Sequence, residues 1–171
     1  MKEIIFEKIK ARIVARVPEI KTFGLFNNQF NTEKQVNAFT YPAMFVEFGS
    51  IDWKTQQRRI QVGNCKIMFH VGVETLKTDS FANRIDKPST DLEILLLLKK
   101  IHTAIQGFDD ELFTPLARVD EQQNTDHDGV LSWIVSYSSQ LSDDGAEIIT
   151  SKPLVVKNPP IDLVVDPILI L

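Results

Sequence analysis

The chain has 171 residues, of which 43% are hydrophobic and 25% charged, an ordinary composition for one domain with a sizeable core and one that argues against disorder of the whole. Its formal net charge of -4, with Lys and Arg scattered, offers no basic stripe for gripping nucleic acid. The single cysteine, Cys65, excludes an internal disulfide and points to a reducing compartment or to a fold that needs no staple.

From Lys2 to Val17, Ile5, Ile9, Ile13 and Val17 recur at four-residue steps and make one stripe on a helix, which Pro18 stops. The segment lacks the apolar core and small-residue cleavage site of a signal peptide, so synthesis in the cytoplasm is expected. "TFGLF", from Thr22, reads as a short strand, and the Asn/Gln/Thr-rich stretch up to Pro42 reads as a long loop. Ala43 to Trp53 is apolar on both parities in its first half and predicts a strand buried on both faces, with Pro42 at its first position. The clearest strand follows, where Cys65, Ile67, Phe69, Val71 and Val73 alternate with Lys66, Met68, His70, Gly72 and Glu74. Between these runs the polar segment Lys54 to Asn64, with Arg58 and Arg59, predicts the tip of a long antiparallel hairpin that projects from the domain.

A second helix is expected after Pro88. Thr90 with Glu93 matches a capping box, Asp91 complements the helix dipole and Gly107 suits the C-terminal cap. Leu92, Leu95, Leu96, Ile101 and Ile105 are expected on its buried side. The four leucines at 95 to 98 wrap wider than a normal stripe, which predicts cover on more than one side, by the first helix and sheet together or by a neighbouring subunit. A second hairpin follows, turning at Asp128-Gly129, with Leu131, Trp133, Val135 and Tyr137 alternating with Ser132, Ile134, Ser136 and Ser138; the serines are expected on the wet side. Beyond Leu141, Pro153, Pro159, Pro160 and Pro167 exclude one regular helix and disfavour a central strand. The expectation is therefore an α+β fold: an antiparallel sheet with a long β-hairpin and two helices packed on one face, as a single domain over 1–145, and an extended C-terminal arm over 146–171.

No catalytic, metal or cofactor-binding residue is assigned. Asp126, His127 and Asp128 are the most enzyme-like cluster, but adjacent turn residues point to different sides, whereas a hydrolytic metal site needs three converging ligands. A solvated hairpin turn is the plainer reading, and a small metal-dependent hydrolase remains the rival from another class. Cys65 has only His70 near it, on the opposite strand face; it reads as a small buried hydrophobe. Phosphate-binding glycine loops are missing from a chain with seven glycines. Trp53, Trp133 and Tyr137 have acidic rather than basic neighbours, so they read as core or interface aromatics and not as a base-stacking platform.

The segment "PPIDLVVDPILIL", from Pro159, is too short and too broken by proline and aspartate to span a bilayer. Its aliphatic residues need cover. They either fold back over their own sheet, as in a monomeric ligand-binding domain, or lie across another subunit, adding to a sheet edge or filling a groove. The second alternative makes Ile161, Leu163, Val164, Val165, Ile168, Leu169 and Ile170 interface residues, and head-to-tail exchange of such an arm closes a ring.

An amphipathic first helix ended by "VPEI", a strand opening "YPAMFVEF", a long hairpin into "CKIMFHVGVE", a capped helix, then "PLARVD" and a closing strand "VLSWIVSYS" together resemble the tail-terminator and tail-completion proteins of long-tailed bacteriophages and related head-tail joining proteins. The resemblance covers Lys2 to Leu141 and lies in the order and size of elements. It implies a non-enzymatic virion protein, made in the host cytoplasm, that forms a homo-oligomeric ring, usually a hexamer, at the head-proximal end of the tail. Its partners would be copies of itself, the tail tube and the neck or connector, with no membrane and no cofactor. Within that reading, acids grouped in loops, including Asp109, Asp110, Asp126 and Asp128, are candidates for a lumen through which DNA slides without specific binding. The hairpin tip with Arg58 and Arg59 would contact the next ring or subunit. The apolar arm departs from a compact family ending and leaves a neck, connector or tail-tube station as the alternative.

Overall fold

A computed structural model describes residues 1–31, 39–57, 60–74, 90–125 and 129–143. They form α1 (Lys2–Arg16), β1 (Thr22–Leu25), β2 (Ala43–Gln57), β3 (Ile60–Glu74), α2 (Thr90–Ile105), β4 (Ala117–Asn124) and β5 (Val130–Asp143). The five strands make one sheet in the order β1-β2-β3-β5-β4. The fold is α+β, with two long antiparallel hairpins flanking α2.

The helix layer follows from two apolar stripes. Ile5, Ile9, Ile13 and Val17 are fully buried and meet Ile94, Leu97, Leu98, Ile101, Ala104 and Ile105 of α2 over one face of the sheet. That face is supplied by alternate residues of three strands: Met44 and Val46 from β2, Cys65 through Val73 at odd numbers from β3, and Val135 and Tyr137 from β5. Burying one such aliphatic side chain is worth about 1.5–3 kcal/mol, so α1 is held by its stripe far more than by helix propensity. Beyond Val17, whose N–H still reaches Ile13 O at 2.7 Å, Pro18 ends the helix as expected.

β2 changes parity midway. Met44, Val46 and Phe48 face the helices, then Ile51 and Trp53 do, because a bulge inserts an extra residue between Phe48 and Ile51 against β3. Gly49 sits in that bulge, where a Cβ would stand 3.0 Å from Lys66 O. The same strand is buried on its other face by Ala43 and Phe45, as its composition predicts.

Three expectations need correction. The sheet is mixed, because β1 pairs with β2 in parallel from Thr22↔Ala43 to Leu25↔Val46, while the other pairings are antiparallel. Phe26 and Phe30 after β1, with Phe39 and Tyr41 before β2, gather on Phe45 and Val130 on the face away from the helices. The polar stretch expected as a hairpin tip is mostly strand: Lys54↔Val62, Thr55↔Gln61 and Gln57↔Ile60 are paired, and only 58–59 separate the two strands. Polar residues suffice there because the far half of the hairpin has little to bury. The serine row of β5 is not uniformly wet, since Ser132 and Ser136 are buried and Ser138 is half-buried. Ser132 Oγ donates to Asn124 O at 3.1 Å, so neighbouring backbone takes the place of water there, whereas Ser136 Oγ has no hydrogen-bond partner among the described residues. Ser139, on the opposite side of the strand, is buried too and its Oγ donates to Thr114 O at 2.6 Å.

Gly72 is where the two layers on the outer face meet most closely. A Cβ there would lie 2.6 Å from both Cε1 and Cζ of Phe30, a ring that is itself buried and packed edge-on against Phe45 at 5.4 Å. Gly72→Ala is therefore expected to destabilise the fold by about 1–3 kcal/mol, the usual cost of overpacking. Phe30→Leu in the same chain recovers part of that loss. Denaturant midpoints of the two single variants and the double variant check this, and strictly additive losses would show that the contact is not limiting.

Candidate assembly surface

α2 is apolar on two opposite faces. At 100° per residue its buried positions, 94, 97, 98, 101, 104 and 105, occupy one side, and Leu92, Leu95, Leu96, Lys99 and Thr103 occupy the other. The sequence phase was therefore read partly the wrong way: Ile101 and Ile105 are buried as expected, but Leu92, Leu95 and Leu96 are 51%, 48% and 51% exposed. The core side is taken by Ile94, Leu97, Leu98 and Ala104 instead. The leucines do wrap wider than one stripe, but the cover expected on more than one side is seen only on the core side, and the second side is turned to solvent. Single exposed leucines are unremarkable, whereas three at helical spacing form a continuous patch. Covering their exposed halves would contribute roughly 2–4 kcal/mol.

The patch runs into a shallow groove of about 370 Å³ between α2 and the end of α1, lined by Arg16, Leu96, Lys99, Lys100, Thr103 and Ala104. The groove has an apolar floor and a cationic rim. It is held open by polar links between the helices. Lys100 pairs with Glu19 just past α1, and that bond, more than the ammonium charge alone, holds the Glu19 carboxyl below its ordinary range. Arg12 donates from Nε to Ala104 O near the C-terminus of α2 and lays its guanidinium 4.4 Å from the centre of the Phe108 ring. A helix pair tied at this many points presents a rigid outer surface.

The acids expected in a lumen divide. Asp109 is exposed beside a small hollow that also receives Asp110 and Glu111. Asp110 accepts a hydrogen bond from Lys8 Nζ, which is the main reason its carboxyl lies below the ordinary value, and its backbone exchanges bonds with Phe113 at 3.1 and 3.2 Å. Its charge thus serves to tie the turn after α2 to α1. Asp126, Asp128, Arg58, Arg59 and the whole arm with Ile161, Leu163, Val164, Val165, Ile168, Leu169 and Ile170 lie outside the described residues, as does His127; so does the side chain of Thr90 in the expected capping box.

On the opposite face of the sheet, sequence reading missed one constellation. His70 is buried beneath Phe26, the rings parallel within 2° at 3.5 Å, and its Nε2 lies 2.8 Å from Glu47 Oε2. The register Phe45↔His70 sets the two side chains on one face of neighbouring strands, which becomes legible only once the bulge and pairing are known. Among the described residues no group of three His, Cys, Asp or Glu could hold a metal ion, and no helix is long and apolar enough to cross a membrane. Cys65 is buried in the helix-side core, where desolvation pushes its thiol above the ordinary range against a weaker pull from Lys2. Tyr137 is fully buried, and Trp53 and Trp133 pack on the core.

Tyr137 also supplies a titrating contact between α2 and the sheet. Its hydroxyl lies 3.0 Å from His102 Nδ1, and burial drives the phenol pKa up to about 12. Burial likewise holds His102 below its ordinary 6.5, helped by Arg118 and opposed by Glu121. A base whose folded pKa is depressed binds fewer protons when folded, so its contribution is complete above about 6.5 and is lost as pH falls through the window beneath. Denaturant midpoints are expected to fall between pH 7 and pH 5, and His102→Gln is expected to flatten part of that slope. An unchanged slope in the variant would assign the effect elsewhere.

No protein-family model matches the chain, and no curated protein is significantly similar to it in sequence.

Proposed function

We propose that the protein is a non-enzymatic virion structural protein that assembles into a homo-oligomeric ring, a hexamer in the form the resemblance implies, at the head-proximal end of a phage tail. The observation that carries the reading is the second apolar face of α2, turned outward on a helix whose other face is already in the core. A subunit that keeps such a face for a neighbour gains stability on association without altering its own core. The element order, helix, strand, long hairpin, helix, hairpin, agrees with the layout on which the resemblance rests. Acid-lined loops such as the one at Asp109 would repel phosphate and let DNA pass.

The tail tube and the neck or connector would be the ring's further partners, and the virion tail or neck its place. A neck, connector or tube station fits the same surface. Light scattering coupled to size exclusion tests the reading: a discrete multimer near six subunits is expected, and Leu95→Glu with Leu96→Glu should shift it to monomer while leaving the circular dichroism spectrum unchanged. Open tubes formed by the purified protein alone would favour the tube station. A folded monomer for the native chain at high micromolar concentration would set the ring aside.

A further inference from the structure

The leucine face and its cationic groove are matched in chemistry by one segment of the same chain. Residues 161–170 read Ile-Asp-Leu-Val-Val-Asp-Pro-Ile-Leu-Ile, an aliphatic run carrying two acids and no base. Arg16 and Lys99 stand at the rim of a groove whose floor includes Leu96 and Ala104, with Leu95 beside it on the same helix face. The apolar surfaces need each other, and the charges are of opposite sign. An extended strand places residues four apart on one side about 13 Å from each other, so Asp162 and Asp166 can reach separate cations while Val164, on the same side between them, meets the leucines.

The length of the connection favours a neighbour over the same subunit. β5 ends beside the C-terminal end of α2: Ser142 N–H bonds to Leu112 O at 2.9 Å, and Gly107 N–H, just after the helix, bonds to Leu116 O at 2.8 Å. From there Leu95 is about 15 Å back along the helix. Asp143 and Ile161 are eighteen positions apart, enough to span roughly 60 Å when extended. Pro153, Pro159 and Pro160 stiffen that connection, which is far longer than the same subunit requires and suits a crossing to the next.

We propose that residues 161–170 of one subunit lie across the outer face of α2 in the adjacent subunit, with their aliphatic side chains on Leu95 and Leu96 and with Asp162 and Asp166 facing Arg16 and Lys99. This rests on the ring reading and names the surface through which the ring closes. Repeated head to tail, the contact is heterologous, each subunit giving an arm and receiving one.

Disulfide trapping tests it. Full-length Leu95→Cys and Val164→Cys, and a double-cysteine variant carrying both, are made; the two single variants are mixed under denaturing conditions, refolded together and oxidised, and the native chain, whose Cys65 is buried, is the control. A disulfide-linked dimer found only in the mixture is expected, its yield reduced several-fold by Lys99→Glu and restored by adding Asp166→Lys to the arm. No link in the mixture, a link only within the chain of the double-cysteine variant, or self-linking of Leu95→Cys alone would each overturn the proposal, the last two naming the chain's own arm or a second α2 as the occupant. Light scattering on the same samples before oxidation separates the two failures. A multimer without the link leaves the ring standing and removes the arm from it, and a monomer linked within its own chain removes both.

Discussion

The fold depends on one steric constraint: two helices must share a single face of a sheet whose middle strand is β3. Cys65, Ile67, Phe69, Val71 and Val73 supply the centre of that face, and α1 and α2 lie over it side by side. α1 spends its whole apolar stripe on the contact. α2 does not, because its core side is complete with Ile94, Leu97, Leu98, Ile101, Ala104 and Ile105, and the remaining leucines have nowhere to go but outward. The surface feature with most bearing on function is therefore a by-product of how the core is filled.

The other face of the sheet is handled differently. Part of it is covered by aromatic residues that follow β1, with Phe30 pressed onto Gly72 and Phe26 stacked on His70. The rest carries small or polar residues, Ser136 and Ser138 among them, with Lys66 and Asp120 4.0 Å apart on its outer side. The result is asymmetric. One side of the sheet carries two helices joined by ion pairs, and the other carries an aromatic roof at one end.

Much of this was legible from periodicity. The α1 stripe, both hairpins, the odd-numbered face of β3 and the glycine at the end of α2 follow from spacing and turn chemistry, and Gly107 does adopt the left-handed conformation, with φ of 73°. What was not legible depended on pairing. The parity switch at Gly49 is invisible until β3 fixes the register, and the parallel entry of β1 depends on which side its crossover takes. In α2, four consecutive leucines fit any phase, and only contact with α1 decides that Leu97 and Leu98 go in while Leu95 and Leu96 stay out. Ser132, which alternates with hydrophobes, looks solvated until the Asn124 carbonyl is found to accept its proton. At the candidate surface, Asp110 reads from sequence as one of several loop acids for a lumen, because the lysine that holds it lies about a hundred positions away in sequence.

The two edges of the sheet limit the ways in which copies of this chain can join. β1 is only four residues long. β4 is longer, but it is interrupted by a bulge between Arg118 and Asp120 and lined with exposed polar side chains, including an Arg118–Glu121 pair at 2.6 Å. Short, kinked and charged edges discourage another backbone from hydrogen-bonding alongside. A chain carrying strongly aliphatic segments would otherwise risk open-ended strand stacking. Blunted at both margins, the described sheet is steered away from fibrous growth, and its edges leave any association to side-chain contacts rather than to shared strands.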